Sequence, residues 1–191
     1  MGQKTLQGMR VAIVATDDFE QVELTEPRQA LQQAGAEVVI VAPHRGQIQG
    51  MNHDEKADRF EVDFELKDTD PNDFDALLLP GGVINADHLR VVPEAQAFAR
   101  AIDGAGKPIA VICHGPWLLV SARLVRGRRM TSYHTIQDDL NNAGATWEDR
   151  EVIRDRNWVS SRKPADLPTF NREMTALFAE RHREPEPARA G

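Results

Sequence analysis

Residues Lys107–Leu119, KPIAVICHGPWLL, decide how the chain is read. Ile109, Ala110, Val111 and Ile112 make a short apolar run, with the length and composition of a strand buried on both faces of a parallel sheet. The run stops at Cys113. Gly115 follows at once, Pro116 suits the first turn of a helix because its missing N–H costs nothing there, and Trp117, Leu118, Leu119 and Val120 supply an apolar helix. Cys113 is thereby placed on a sharp strand-to-helix turn. A thiol there points toward a helix N-terminus, whose partial positive charge favours thiolate over thiol. This is the arrangement of a nucleophile elbow. A lone Cys in an apolar strand is otherwise a small buried hydrophobe. A core Cys, however, needs neither a Gly two residues on nor a polar His114 beside it, whereas a nucleophile needs close backbone approach and exposed N–H groups for an oxyanion. Half of the elbow pattern is missing, because Val111 stands where a second Gly is usual.

Outward from this stretch, strands and helices alternate. Arg10–Thr16 reads as a first buried strand, Gln21–Ala34 as an amphipathic helix closed by Gly35, and Glu37–Ala42 as a second strand, which together predict a βαβ unit and a parallel sheet. Residues 43–67 differ in texture, with HRGQIQG followed by the alternating FEVDFEL, and predict a small antiparallel excursion with turns at Gly46 and Gly50. Ala76–Leu79 is a third buried strand, ending in Pro80-Gly81-Gly82. Beyond it come a helix over Pro93–Ala105, the elbow strand and its helix, a strand over Arg129–Tyr133 and a helix over Ile136–Ala143. A hairpin around Asp155–Asn157 and a last helix from Leu167 to Glu180, capped by Asp166, complete the series. The expected organisation is a flexible N-terminus over 1–8, a single domain over 9–180 and a disordered tail over 181–191.

The chain has 191 residues, enough for one domain with a sizeable core, and a formal net charge of -7. An acidic surface argues against a nucleic-acid or anionic-membrane partner, and the basic run Arg123–Arg129 reads as a solvated loop. The single Cys can make neither an internal disulfide nor a thiolate cage, so a reducing compartment is expected. No apolar run approaches the length of a membrane span and no signal core precedes the first strand, so a soluble cytoplasmic protein is expected.

In a parallel sheet, polar groups at the carboxyl ends of several strands mark a site on that edge. The candidates are Glu20 and Glu23 after the first strand, Gly81 and Gly82 after the third, Cys113 and His114 at the elbow, and Tyr133 and His134 after the next strand. A Gly pair at a strand end lets backbone N–H groups approach a ligand, and equally makes a plain turn. Acidic residues in a first helical turn also simply favour the helix dipole.

Five segments, DFEQVEL (18–24), LLLPGG (77–82), AVICHGP (110–116), TSYHTIQDD (131–139) and SSRKPADLPTFNRE (160–173), resemble in order and spacing the PfpI branch of the DJ-1/PfpI superfamily, whose members are also called glutamine amidotransferase-like. The resemblance runs from about Met9 to Ala179. It implies an α/β fold, a flavodoxin-like three-layer sandwich with a mostly parallel sheet. It also implies a nucleophile matching Cys113, a carboxyl group against the sulfur matching Glu23, and backbone amides near Gly82 and His114 as an anion pocket. In protease-like members the His beside the nucleophile is completed by a Glu of a neighbouring subunit, shortly after PGG. Here that segment is VINADHLR, the nearest acid is Asp87, and Val83 replaces the branch's arginine. His114 is the first candidate base and His134 the second.

The function expected on these grounds is a stress-protective hydrolase or lyase in which Cys113 adds to a reactive carbonyl or to a glycated adduct, as in deglycases and glyoxalases, without metal or cofactor. The alternatives are an intracellular cysteine peptidase and a non-enzymatic thiol redox sensor or chaperone. The expected partners are small carbonyl compounds or glycated or unfolded proteins, and a second copy of the chain in a homodimer or larger assembly.

Overall fold

A computed structural model describes residues 5–183. In chain order the strands are β1 (Arg10–Val14), β2 (Phe19–Glu20), β3 (Glu37–Ala42), β4 (Gln47–Asn52), β5 (Glu55–Glu61), β6 (Phe64–Glu65), β7 (Ala76–Leu79), β8 (Ile109–Ile112), β9 (Arg129–Met130), β10 (Thr146–Trp147), β11 (Val152–Asp155) and β12 (Trp158–Ser161). The helices are α1 (Gln21–Gln33), α2 (Val83–Leu89), α3 (Pro93–Gly104), α4 (Pro116–Ser121), α5 (Gln137–Asn142) and α6 (Leu167–Arg183).

The central sheet has seven strands in the order β11-β12-β8-β7-β1-β3-β6. All neighbours run parallel except the β11–β12 hairpin at one edge. Alternate residues of β1 feed two separate cores: Val11 and Ile13 pack with Leu24, Leu31, Phe170 and Met174 on one face, while Ala12 and Val14 pack with Phe98, Ile102 and Leu118 on the other. The period-2 geometry of a strand splits one apolar run between two helical layers. Helices α1 and α6 thus cover one side and α3, α4 and α5 the other, the flavodoxin-like three-layer sandwich. Among the described residues no helix is long and apolar enough to cross a membrane.

The departures from the sequence reading have local causes. Gly50 lies inside β4 at a β-bulge rather than at a turn, and the chain reverses at His53, whose φ is 59°. The apolar spacing of α3 predicts Ala95, Ala97, Phe98, Ala101 and Ile102 on its buried side, but Ala99 is buried and Ala97 and Ala101 face solvent. Arg128 is not solvated. Its guanidinium donates to Asp103 Oδ1 at 2.8 Å and to Asn157 Oδ1 at 3.0 Å and lies over the Trp158 ring, tying the end of α3 to the hairpin. The Asp166 carboxylate accepts from the Arg162 guanidinium at 2.8 and 3.1 Å rather than serving as a free cap. Leu6 is fully buried and its N–H donates to the Ala34 carbonyl at 3.0 Å, which ties residues 5–8 to α1. The final residues, 184–191, lie outside the described part, and α6 extends past Glu180 to Arg183.

Candidate active site

The strand order reverses between β1 and β7, and crevices at such points open at the carboxyl ends of the strands. Three neighbouring strands deliver the site. After β1 the chain enters α1, whose buried face carries Glu23, Leu24, Pro27 and Leu31. Glu23 shares that face, so a carboxyl group is drawn inside with the apolar residues and is fully buried. After β7, Pro80-Gly81-Gly82 turns the chain against it. After β8, Cys113 sits on the elbow with a φ of 62°, a left-handed conformation that costs a non-glycine residue about 1–3 kcal/mol and is held by its surroundings. Its N–H donates to the Ser161 carbonyl at 3.1 Å, and its own carbonyl accepts the Tyr133 N–H at 2.9 Å.

Two glycines make the close approach possible. A Cβ on Gly81 would lie 2.4 Å from Glu23 Oε2 and 2.6 Å from the Cys113 Cβ. One on Gly82, where φ is 86°, would lie 2.6 Å from the Glu20 nitrogen. Asn85, on α2, fixes this loop: its Oδ1 accepts the Thr16 N–H at 2.8 Å and its Nδ2 donates to the Gly81 carbonyl at 2.9 Å.

Glu23 Oε2 accepts the Gly81 N–H at 2.8 Å, whereas Oε1 is buried without a hydrogen-bond partner among the described residues. Burial above all, with a smaller contribution from the charge of Glu20, raises the Glu23 pKa to about 8, against the smaller opposing effect of the Gly81 amide. The carboxyl group is therefore protonated at neutral pH, and Oε1 is the atom left to carry the proton. Glu20 is also buried; its Oε2 accepts the His53 N–H at 3.2 Å.

The thiol does not behave as its place on an elbow suggests. Cys113 is only 7% exposed. Burial first, and then Glu23 once its carboxyl group has ionised, push its pKa up, outweighing the Gly82 and His114 backbone amides that bind the sulfur and lower it. The expected low-pKa thiolate is thus corrected to a resting thiol. The reason is a tertiary one: α4 is only six residues long, and the fold around the sulfur buries it, which favours the neutral form.

His114 Nδ1 lies 3.2 Å from Cys113 Sγ. Burial first, then the neighbouring His134, lowers the His114 pKa, which leaves it a neutral base at pH 7. Its ring stacks on Tyr133 at 4.9 Å between centroids and meets Trp117 edge-on at 5.4 Å. Its Nε2 is 3.3 Å from Thr135 Oγ1. His134 is exposed and packs on Tyr133, so the ring beside the sulfur is that of His114. Asp87 is exposed on α2 and does not line the cleft of its own chain. The cleft has a volume of about 680 Å³ and its lining combines Cys113 and His114 with the charged groups of Asp18, Glu20, Asp54 and Lys163. Among the described residues no group of three or more His, Cys, Asp or Glu side chains is placed to hold a metal ion.

A profile of the DJ-1/PfpI family matches residues 9–177. The chain belongs to the DJ-1/PfpI family. A Pyrococcus abyssi protein named as a deglycase is 44% identical over 170 residues, covering 89% of this chain and 99% of its own. A Bacillus subtilis protein named putative cysteine protease YraA is 42% identical over 169 residues, covering 88% and 98%. Among solved structures, a two-domain protein from Anabaena variabilis with DJ-1/ThiJ/PfpI-like and ferritin-like domains superposes with a TM-score of 0.82 at 30% identity, over 96% of this chain and 52% of that one.

Sequence reasoning missed Asn85 and Thr135. Thr135 stands within TSYHTIQDD, one step past His134, but only the fold turns its hydroxyl to the His114 ring. Asn85 follows the Gly pair by three residues, on a helix too short to register as a periodic pattern.

Proposed function

We propose that this protein is a deglycase-type enzyme of the stress response that removes reactive carbonyls or their early adducts on amines and thiols. The observation that carries the reading is the set of Cys113, a neutral His114 at 3.2 Å and a buried, protonated Glu23, with the Gly82 and His114 amides at the sulfur. Relatives named as deglycases, one of them the Escherichia coli protein/nucleic acid deglycase 2, and a Bacillus subtilis general stress protein support it.

In the first step the Cys113 S–H proton passes to His114 Nδ1 as sulfur bonds to the carbonyl carbon. The C=O π pair moves to oxygen, and the resulting oxyanion is met by backbone N–H groups and by the Glu23 Oε1 proton. Sulfur is most nucleophilic as the thiolate, so a raised thiol pKa makes the adjacent base necessary rather than decorative. Peptide hydrolysis would begin with the same addition, and the relative named as a cysteine protease favours keeping it as the second reading.

The same reading includes a cytoplasmic location and a homodimer. Val83 and Ile84, on the same helix as Asp87 and at the lining of the cleft, and Val91 just after that helix are 50%, 43% and 72% exposed, apolar surface of the kind that a second copy covers. The deciding experiment compares wild type and Cys113→Ser on methylglyoxal, a glyoxal-modified peptide and casein. Turnover of the first two by wild type alone supports the reading. Turnover of casein alone transfers it to the peptidase, and activity surviving in Cys113→Ser overturns both.

A further inference from the structure

His114 is caught between two possible proton arrangements. Either Nε2 carries the hydrogen and Nδ1 presents a lone pair to the thiol, or Nδ1 carries it and Nε2 accepts from the Thr135 hydroxyl. Only the first makes His114 a base toward Cys113. The stacked Tyr133 and the edge-on Trp117 fix the plane of the ring. Neither contact selects which nitrogen is protonated, because a ring face or edge discriminates poorly between the two forms. A hydrogen bond does.

Thr135 is delivered to the ring by the elbow itself. The Tyr133 N–H donates to the Cys113 carbonyl at 2.9 Å, and the chain then closes a single tight turn in which the Ile136 N–H donates to the Tyr133 carbonyl at 3.2 Å. Ile136 is buried and anchors that turn. Thr135 Oγ1 thereby comes within 3.3 Å of His114 Nε2, while on the far side of the same ring Nδ1 is 3.2 Å from Cys113 Sγ.

We propose that Thr135 is the positioning residue of the base: its hydroxyl accepts the His114 Nε2–H and so holds the Nδ1 lone pair toward the Cys113 thiol. The state of the sulfur supports this choice. The 3.2 Å contact joins Sγ to Nδ1, and a neutral thiol donates to a ring nitrogen lone pair more readily than its sulfur accepts an N–H, which favours Nδ1 as the acceptor and Nε2 as the donor. Thr135 would then do within one chain what an acidic partner does for other Cys–His pairs, fixing ring and tautomer without adding a charge. The step it serves moves one proton, from sulfur to Nδ1, and needs no other reactant.

The inference rests on Cys113 as nucleophile and His114 as base, yet its first readout needs no turnover. The experiment records the ¹⁵N shifts of the His114 ring and the kinetics with methylglyoxal for wild type, Thr135→Val and Thr135→Ser. Val keeps the shape and removes the hydroxyl, and Ser restores the hydroxyl. The expected wild-type ring is protonated at Nε2. Thr135→Val should move protonation toward Nδ1 and lower kcat about tenfold or more with KM little changed, given that a placed base contributes about 100- to 10,000-fold. Thr135→Ser should recover both. A wild-type ring protonated at Nδ1 overturns the proposal, as do unchanged ¹⁵N shifts or an unchanged kcat in Thr135→Val. Equal losses in Val and Ser overturn it too, because packing rather than the hydroxyl would then be responsible. Absence of turnover in wild type counts against the proposed function, while the ¹⁵N shifts still judge Thr135.

Discussion

Glu23 Oε2 accepts the Gly81 N–H at 2.8 Å, and this bond fixes which oxygen of the buried carboxyl group is left for a proton. The bond also draws Gly81 so close to the thiol-bearing residue that no side chain fits there. Gly81→Ala would bring a methyl group to 2.4 Å from Oε2 and 2.6 Å from the Cys113 Cβ. Glu23 Oε2 is buried and held by its hydrogen bond, and the Cys113 Cβ is fixed to the backbone, so the loop must shift. The expected cost is about 1–3 kcal/mol of stability, as for overpacking elsewhere, with loss of most activity. Thermal melts and turnover of methylglyoxal measure both.

The Glu23 pKa of about 8 predicts a stability that depends on pH with a definite sign. An acid whose folded pKa lies above its unfolded value binds its proton more tightly in the folded state. Folding then loses stability as pH rises between the ordinary value of 4.5 and about 8, and the loss levels off above that. The slope is at most about 1.4 kcal/mol per pH unit. Glu23→Gln carries no such proton. Its melting temperature relative to wild type should therefore climb from pH 5 to pH 8 and flatten beyond. A constant difference across that range would show that Glu23 is already ionised near pH 5. The same variant should turn over its substrate more slowly, for lack of an acid proton.

Alkylation of Cys113 tests the correction to the thiol. With burial and Glu23 pushing the pKa up, iodoacetamide should label wild type slowly at neutral pH and gain rate only as the solution becomes strongly alkaline. Above pH 8, Glu23→Gln should be labelled faster than wild type, by about tenfold for each unit by which the thiol pKa falls. Fast labelling of wild type at pH 6 would restore the thiolate that the elbow alone suggests.

What the sequence made legible follows from how each element is stabilised. Glu37–Ala42, Ala76–Leu79 and Ile109–Ile112 are read with their observed bounds because a parallel strand covered on both faces must be apolar throughout and is cut off by Gly, Pro or a polar residue. Cys113 at the end of β8 follows from the same rule, and so does the convergence of the site on one edge of the sheet. Thr146–Trp147 was missed because so short a strand exists only through its pairing with Arg129–Met130. Glu23 is a candidate from its place after the first strand, but its role against the sulfur comes only from the family resemblance, since an acid in a first helical turn equally favours the helix dipole; the structure puts it beside Leu24 and four residues before Pro27 on the buried face. The thiol pKa was misread for a related reason. A helix N-terminus is visible in sequence, whereas the burial that opposes it is set by the fold around the sulfur. Arg128 looked solvated because its partners Asp103 and Asn157 lie 25 and 29 residues away.

Asp87 is the residue whose role depends most on assembly. It is exposed on α2 and does not line the cleft of its own chain, while Val83 and Ile84 on the same helix are exposed at the cleft and Val91 is exposed just beyond the helix. If two copies meet there, Asp87 of one reaches the cleft of the other, where its charge would bind a cationic group of the substrate. The expected outcome is that Asp87→Ala and Cys113→Ser are each inactive alone and regain activity when mixed and allowed to exchange subunits. In a mixed pair, one site carries both defects and the other combines an intact Cys113 with an intact Asp87. Random exchange makes about half of the dimers mixed, each with one working site, so about a quarter of the sites should recover. Were Asp87 to serve its own chain, every site in every mixture would stay defective. No recovery despite proven exchange therefore excludes the shared site, and full activity of Asp87→Ala by itself makes the acid an ordinary solvated residue.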